Sequence, residues 1–216
     1  MNLSDYDITL DPEANVLYEK CADVDAALWE ALADADPEEV TQRTGATFAR
    51  GNYHLSYFSW RLTVKPHQRH ISLAEGQARE AEFQLCLVAL LYLLKVDPHL
   101  LGATQVSPKE FKGGTTFFQG PHALPVARLE ERFGEDRAGF LEAAGRLGGR
   151  TVDLGDAAVL LPVFPGLEVG VILWQGDEEF PAQVNLTVPR GLDRFWPLDA
   201  IWALLNVVTR ELWRAA

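Results

Sequence analysis

The chain has 216 residues, of which 48% are hydrophobic, and it carries two cysteines and a net charge of −12. A chain of this length is expected to form a globular core without a structural metal, and two cysteines are too few for a disulfide framework or a four-thiolate cluster. Twelve of the 31 acidic residues but only two of the 19 basic residues fall in residues 1–45, so this end repels phosphate backbones and nucleic acid is not an expected partner.

The hydropathy of the chain predicts neither a membrane span nor a leader. Its most apolar run, residues 83–94, is twelve residues long, whereas a transmembrane helix needs about twenty. Residues 1–15 carry four acids and no basic region before an apolar run, which is unlike a signal peptide. We therefore predict a cytoplasmic protein that does not bind membranes.

The acidic N-terminal region predicts two helices. Over residues 16–35, apolar side chains recur every three or four positions while acids fill the other face, which indicates an amphipathic helix. Asp36 is placed to cap a second, short helix over residues 37–43, which begins at Pro37. The acidic face is either a solvated surface or a docking face for a basic partner. The apolar positions of the first helix are Leu17, Cys21, Val24, Leu28 and Leu32.

The middle of the chain changes from alternating to helical periodicity. Apolar and polar residues alternate over residues 48–73, with a turn at Pro66, which predicts an antiparallel hairpin or meander. Residues 79–96 then read as a helix that is apolar almost all round, so protein must cover it on all sides. Both cysteines, Cys21 and Cys86, fall in predicted helices and are interpreted as reduced thiols in the core.

The C-terminal half predicts further helices and a second group of strands. Two helices are split by Gly134, and three apolar or alternating strands follow over residues 157–188. Residues 196–213 close the chain as an amphipathic helix whose tryptophans, Trp196, Trp202 and Trp213, are interpreted as core residues.

The predicted fold class is α+β. Antiparallel strands, with an N-terminal hairpin or meander and a C-terminal three-stranded region, pack with the central apolar helix and the C-terminal amphipathic helix. We predict an acidic helical segment over residues 1–45 and a single α+β domain over residues 46–216.

Four sequence segments carry a family resemblance. The most specific reads Ile-Leu-Trp-Gln-Gly-Asp-Glu-Glu-Phe-Pro over residues 172–181. Together the segments resemble a bacterial and archaeal family, the domain-of-unknown-function family numbered 3786, over roughly residues 40–213. The other three segments are the apolar helix ending Leu91-Tyr92-Leu93-Leu94, the run Lys109-Glu110-Phe111-Lys112-Gly113-Gly114 before Phe117 and Phe118, and Leu147-Gly148-Gly149 leading to Gly155-Asp156-Ala157-Ala158 and Pro162.

The resemblance implies no activity, because the family is uncharacterised. The strand after Pro181 resembles Ile-Leu-Phe-Asp in relatives, but here it reads Asn185-Leu186-Thr187-Val188, so any role of that aspartate is lost or moved. Some relatives carry cysteine-rich segments of the iron–sulfur type. This chain has none, so the resemblance does not imply a cluster, and the cofactor is unknown.

The strongest candidate site is the acidic turn between two predicted strands. Asp177, Glu178 and Glu179 follow Trp174, and adjacent carboxylates repel unless they are solvated, neutralised or hydrogen-bonded. The structural interpretation is a charged hairpin turn. The functional interpretation is a set of carboxylates for a divalent cation or a cationic ligand group, with the indole as a stacking wall.

Weaker candidates are predicted to complete a pocket at this turn, with Gly113, Gly114 and His122 opposite the acids. Asp156 precedes a buried strand and is suited either to capping a turn or to binding a ligand. Gly113 and Gly114 would allow a positive-φ turn, and the Gly-Lys-Ser/Thr ending of a phosphate loop is missing there. His122 follows an aromatic pair and would reach a pocket formed at that pair.

We weigh three functions. The first is a non-catalytic ligand- or cofactor-binding accessory domain for a small molecule or cation, and the second is a metal-assisted hydrolase that uses the same carboxylates. The third is a protein-interaction module that docks through the acidic helix of residues 16–35. The ligand-binding residues predicted for the first function are Trp174, Asp177, Glu178, Glu179, Asp156, Gly113, Gly114 and His122.

Overall fold

Two antiparallel sheets and seven α-helices make up the described part of the chain. A computed structural model describes residues 20–73 and 80–216. The helices are α1 Ala26–Asp34, α2 Pro37–Thr44, α3 Phe83–Lys95, α4 Gly114–Phe117, α5 Ala127–Phe133, α6 Arg137–Arg146 and α7 Leu198–Arg214. The strands are β1 Thr47–Ala49, β2 Asn52–Tyr57, β3 Trp60–Lys65, β4 His70–Leu73, β5 Gln105–Val106, β6 Arg150–Val152, β7 Ala157–Phe164, β8 Leu167–Trp174 and β9 Gln183–Pro189. This α+β architecture confirms the predicted fold class.

The first sheet is the predicted meander. Its strand order is β1-β2-β3-β4, and neighbouring strands are antiparallel. Tyr53, Leu55 and Tyr57 are buried on one face of β2, opposite the buried Leu62 and Val64 of β3. Side chains of alternating residues point to opposite faces of a strand, which is why this segment shows a two-residue period.

The second sheet has five strands where three were predicted. Its order is β5-β9-β8-β7-β6, with β7, β8 and β9 as the predicted hairpin and third strand. The two additional strands, β5 and β6, are edge strands of two and three residues. Segments this short contain too few residues to show a two-residue period, so only their pairing with β9 and β7 identifies them.

Helix α3 occupies the centre of the core. It contacts α7, α1 and α2, which cover it on several sides. The helix begins at Phe83, later than predicted, because Glu80 and Glu82 form antiparallel bridges with Ser72 and Lys20. Its buried residues are Leu85, Cys86, Val88, Ala89, Leu90, Leu91, Tyr92 and Leu93, as the all-round apolar pattern predicted.

The predicted helix over residues 16–35 is interrupted. A short 3₁₀ turn at Cys21–Asp23 precedes α1, which begins at Ala26 because the Asp25 carboxylate accepts a hydrogen bond from the Ala27 amide at 2.9 Å. A capping carboxylate satisfies an otherwise unpaired amide at a helix start. Residues 16–19 of the prediction lie outside the described residues. The predicted cap of α2 is confirmed, since the Asp36 carboxylate accepts from the Glu38 amide at 2.9 Å.

The two cysteines form a disulfide, so the interpretation of Cys21 and Cys86 as reduced thiols is wrong for this structure. They are 65 positions apart in sequence, and their Cα atoms are 5.3 Å apart. The turn that carries Cys21 packs against the start of α3, and the Ala81 carbonyl oxygen lies 3.6 Å and 3.7 Å from the two sulfur atoms. Tertiary packing therefore brings together two residues that sequence spacing does not relate.

Helix α7 closes the chain along the core. Its residues Ile201, Leu204, Leu205, Val208 and Leu212 are fully buried. The helix contacts α3, α5 and α6. Across residues 20–73 and 80–216, no helix has both the length and the apolar character to cross a membrane.

Candidate functional site

The predicted acidic site is the connection between β8 and β9. The Asp177 carboxylate accepts hydrogen bonds from the amides of Glu179 at 2.8 Å and Phe180 at 2.7 Å, and the Asp177 amide donates to the Phe180 carbonyl at 2.9 Å. These bonds favour the charged carboxylate and lower the pKa of Asp177, with the bond from Phe180 as the larger cause. The first acid of the run thus holds the turn in shape.

All three carboxylates of this turn are exposed. Asp177, Glu178 and Glu179 are exposed, and the preceding Trp174 is 48% exposed. Across the part of the chain that the structure describes, no group of three or more His, Cys, Asp or Glu residues is placed to hold a metal ion. Binding of a cation or ligand by this acidic turn stays a prediction.

Asp156 lies beside the same turn. Its carboxylate accepts from the Gln175 amide at 2.8 Å, and its amide donates to the Leu173 carbonyl at 3.0 Å. Gly155 has a positive φ of 59°, and a side chain there would meet Leu173 and Trp174. The structure thus brings Asp156 next to Trp174, and its carboxylate anchors the chain at the end of β8.

Gly113, Gly114 and His122 lie in a different neighbourhood, beside α7. Gly113 has the predicted positive φ of 81° and faces Leu198, and a Cβ on Gly114 would clash with the Pro108 carbonyl oxygen. The His122 ring lies between Phe117 and Trp202, with ring centroids 4.6 Å and 5.3 Å apart. The predicted site residues are therefore divided between two places.

A cavity beside α7 is the feature that sequence reasoning missed. It has a volume of about 400 Å³ and lies between the segment before α5 and the outer face of α7. We name it the α7 cavity. Its lining residues are Ala123, Leu124, Pro125, Ala127, Arg128, Trp202, Asn206, Thr209, Arg210 and Trp213.

Two of the residues that line the α7 cavity, Trp202 and Trp213, contribute indole rings. Trp202 is half-buried, and its Nε1 donates to the Ala123 carbonyl at 3.1 Å, which joins α7 to the opposite wall. Trp213 is 44% exposed, and the Arg128 guanidinium lies over its ring at 5.9 Å from the centroid. Of the three tryptophans predicted to pack inward, only Trp196 is buried in the core, at 1% exposure.

Arg210 supplies a largely buried positive charge to the cavity. Its side chain is 17% exposed, its Nε lies 3.1 Å from Glu82 Oε2, and its Nη1 donates to Gln84 Oε1 at 3.0 Å. The Glu82 carboxylate also binds Arg214 at 2.6 Å. Contacts from the start of α3 therefore hold the guanidinium in place.

A helical period in the sequence would have indicated this wall. At 100° per residue, positions 202, 206, 209 and 213 fall within about 60° of one another on a helix. Trp202 and Trp213 therefore lie on a different side of α7 from Leu204, Leu205 and Val208, which pack into the core. The opposite wall, residues 123–128, has no sequence link to α7 and could not be inferred.

The side chains that line the α7 cavity are mainly apolar or cationic. The one hydroxyl among its lining residues belongs to Thr209, which donates to the Leu205 carbonyl at 3.0 Å. None of these lining residues carries a carboxylate, an imidazole or a thiol. The cavity wall thus offers apolar surface, an amide and guanidinium groups, but no nucleophile paired with a base.

Comparison with known proteins agrees with the sequence resemblance. No curated protein and no solved structure shows a significant match to this chain. A family model does match, over residues 36–211, which begins at the cap of α2 and ends in the last turns of α7. The matched range includes both sheets, the acidic turn and most of the α7 cavity. The chain therefore belongs to the family described as domain of unknown function DUF3786.

Proposed function

We propose that this chain is a non-catalytic ligand-binding domain whose small-molecule ligand occupies the α7 cavity. The observation that supports this proposal most directly is the combination of two indole rings and a largely buried guanidinium in one cavity. Arg210 lines this largely apolar recess while its guanidinium contacts Glu82 and Gln84, so a positive charge is held in place at the cavity wall.

The size and lining of the cavity suit a small molecule. Its volume of about 400 Å³ falls within the range of roughly 300–1,000 Å³ that is usual for ligand pockets. Such pockets are mainly apolar and carry a few polar groups that orient the ligand. Here the polar groups are Asn206, Thr209, Arg128 and Arg210.

Binding without catalysis fits the residues that line the cavity. A catalytic pocket needs a general acid, a general base or a nucleophile within reach of the ligand. The side chains that line the α7 cavity include none in an activated arrangement. The hydrolase alternative has less support, because its carboxylates at Asp177, Glu178 and Glu179 are exposed.

Docking of a basic partner on the acidic N-terminal helix also has less support. The apolar Trp29 and Leu32 of α1 are buried in the core, and Glu30 pairs with Arg69 at 3.0 Å. Asp25 and Asp36 serve as helix caps. Much of the acidity in the described part of this segment thus has a structural explanation.

The proposal is tested by fluorine NMR on the full chain labelled with 5-fluorotryptophan. The six tryptophans give six resonances, which single Trp→Phe variants assign. We expect hits from a library of small aromatic molecules to shift the resonances of Trp202 and Trp213. The resonance of Trp174, an indole of similar exposure outside the cavity, is the internal control.

Two results would contradict the proposal. If hits shift Trp174 and leave Trp202 and Trp213 unchanged, the ligand site lies at the acidic turn. If no library member shifts either cavity tryptophan, the α7 cavity does not bind small molecules. A bulky substitution of the exposed lining residue, Ala127→Trp, is expected to remove binding while Arg150→Gln leaves it unchanged.

A further inference from the structure

We infer that the ligand of the α7 cavity is an aromatic carboxylate. The inference rests on the proposed function and adds the chemical class of the ligand. It follows from three features of the cavity. These are the spacing of its aromatic and cationic side chains, the N–H donors of Arg210, and the Glu82 carboxylate that pairs with that arginine.

The spacing along α7 sets the size of the ligand. Trp202 and Arg210 both line the cavity and are eight residues apart, which is about 12 Å along a helix that rises 1.5 Å per residue. A flat ring on the Trp202 indole therefore needs a short arm to reach the guanidinium. A bicyclic ring with a one-carbon or two-carbon arm combines the flat surface and the arm that this arrangement calls for.

The donors of Arg210 set the charge at the end of that arm. A guanidinium carries five N–H groups, and the contacts with Glu82 and Gln84 involve Nε and Nη1. Among the described residues, Nη2 makes no hydrogen bond, and the buried Nε lies 3.1 Å from Glu82 Oε2 without forming a hydrogen bond. Because this side chain is largely removed from water, an anion would form a strong charge-assisted hydrogen bond with it.

The charges around the cavity set the sign of the ligand's charge. Glu82 Oε2 lies 3.1 Å from Arg210 Nε, so an anion on the same guanidinium is also close to a negative group. A second negative charge on the ligand would double the attraction to Arg210 as well as the repulsion from Glu82, so these charges set the sign of the ligand and not its number of charges. A cationic ligand would be repelled by Arg210 and Arg128, which both line the cavity. A planar carboxylate oxygen pair also matches the fork of the guanidinium.

The test uses three probes that share one ring and differ in charge: indole-3-acetate, the neutral indole-3-acetamide and the cationic tryptamine. Their affinities for the full chain are measured by isothermal titration calorimetry at neutral pH and low salt. We expect the acetate to bind at least tenfold more tightly than the acetamide, and tryptamine to bind more weakly than the acetamide. Added salt is expected to weaken only the acetate.

Three variants separate the role of Arg210 from that of folding. Arg210→Gln is expected to reduce the affinity for indole-3-acetate to that for the acetamide, without changing the latter. Glu82→Gln removes the competing carboxylate and is expected to increase the affinity for the acetate several-fold, which a loss of folding could not do. Arg150→Gln is the control, because Arg150 pairs with Glu168 in the second sheet at 2.8 Å.

Equal affinities of the acetate and the acetamide would overturn the assigned ligand class, as would tighter binding of tryptamine. Either result would leave the proposed ligand-binding function intact if the probes still shift the fluorine resonances of Trp202 and Trp213. If none of the probes binds although other library members shift Trp202 and Trp213 in the fluorine spectrum, only the ligand class is wrong. If no molecule shifts those resonances, the proposed function fails as well.

Discussion

The Tyr92 hydroxyl connects three parts of the core. It lies 2.6 Å from the Pro165 carbonyl oxygen in the β7–β8 turn and 3.0 Å from the Thr44 carbonyl oxygen at the end of α2. Burial raises the pKa of Tyr92 above its usual range, although the charge of Arg43 lowers it in part. The phenol therefore stays protonated at any ordinary pH, and its single hydrogen is shared between the two carbonyl oxygens or donated to one of them.

We expect Tyr92→Phe to lower the free energy of unfolding by about 1–3 kcal/mol, because it leaves buried carbonyl oxygens without their donor. The measurement is urea denaturation followed by circular dichroism. Tyr53→Phe is the matched control, since the Tyr53 side chain is equally buried and makes no side-chain hydrogen bond to a described residue. Equal losses in the two variants would show that the hydroxyl of Tyr92 contributes nothing specific.

The Asp177 carboxylate stabilises its turn by accepting two backbone hydrogen bonds. Its two backbone hydrogen bonds favour the ionised form, so the pKa of Asp177 in the folded protein lies below its value in the unfolded chain. The resulting stabilisation of the turn is present above the unfolded pKa and is lost as the pH falls through the folded pKa.

We predict that the Asp177 carboxyl carbon titrates below about 3.9, the usual value for aspartate, when followed by ¹³C NMR. The amide resonances of Glu179 and Phe180 should titrate with the same midpoint, because those groups donate to it. An Asp177 that titrates at the usual value would mean that these bonds are not maintained in solution. Addition of calcium in the same experiment tests whether the acidic turn binds a cation.

At the scale of elements, the disulfide ties the turn before α1 to the central helix. Cys21 lies outside the range that the family model matches, whereas Cys86 lies inside it. The bond closes a loop of 65 residues, which by the chain-entropy account stabilises the fold by about 4 kcal/mol. Disulfides persist in oxidising compartments, so the cytoplasmic location expected from the sequence stays a prediction.

Reduction is therefore expected to destabilise the protein. We predict that a thiol reductant and the Cys21→Ser/Cys86→Ser double variant each lower the melting temperature to a similar extent. Adding the reductant to the double variant should lower its melting temperature no further. Peptide mapping without reductant should find one cross-linked pair. If the reductant leaves the melting temperature unchanged and mapping finds two free thiols, the cysteines are not joined in solution.

Helix α7 presents two apolar faces with different roles. The face that includes Leu204, Leu205 and Val208 packs into the core, and the preceding Trp196 is buried with it. The other face carries Trp202 and Trp213 and forms one wall of the α7 cavity. The two environments predict losses of stability of different size when an indole is removed.

We expect Trp196→Ala to lower the free energy of unfolding by about 3–5 kcal/mol, as is usual for a large buried side chain. Trp213→Ala should lower it by no more than about 1 kcal/mol, which is the scale of an exposed cation–π contact with Arg128. Chemical denaturation of both variants gives the comparison. A cost for Trp213→Ala as large as that for Trp196→Ala would place this ring in the core.

At the scale of the whole molecule, the hydrophobic core includes residues that lie outside the range matched by the family model. The matched range begins at residue 36, but Trp29 and Leu32 of α1 are each 1% exposed and belong to the common hydrophobic core. Helix α1 contacts α3, which is the centre of that core. The predicted boundary at residue 45 therefore separates segments that share buried surface.

A chain that begins at residue 36 is expected to melt at a lower temperature than the full chain and to bind a hydrophobic dye, because it lacks the side chains that cover α3. Differential scanning fluorimetry compares the two chains, and Trp29→Ala in the full chain isolates the contribution of one ring. If the shortened chain is as stable as the full one, residues 1–35 are an appendage without a part in the core.

The features that could be predicted from sequence are those determined by neighbouring residues in the chain. Alternation over residues 48–73 indicated the meander, and the apolar run at residues 83–94 indicated a helix covered by protein. Asp36 caps α2 as predicted, and Gly113 has the predicted positive φ. Both features depend on only a few neighbouring residues. The candidate binding site was less predictable from sequence. Glu178, for example, has the carboxylate that a cation site needs, but its side chain is exposed.

By itself the amino-acid sequence determined the types of most elements, the α+β class and the family, because periodicity and motifs are carried by consecutive residues. Only the tertiary structure decided that Cys21 meets Cys86, and that residues 123–128 face Trp202 and Arg210 across a cavity. Both arrangements depend on how helices pack against one another. Packing is set by the shapes and buried areas of surfaces that are far apart in the chain, and no local pattern specifies which surfaces meet.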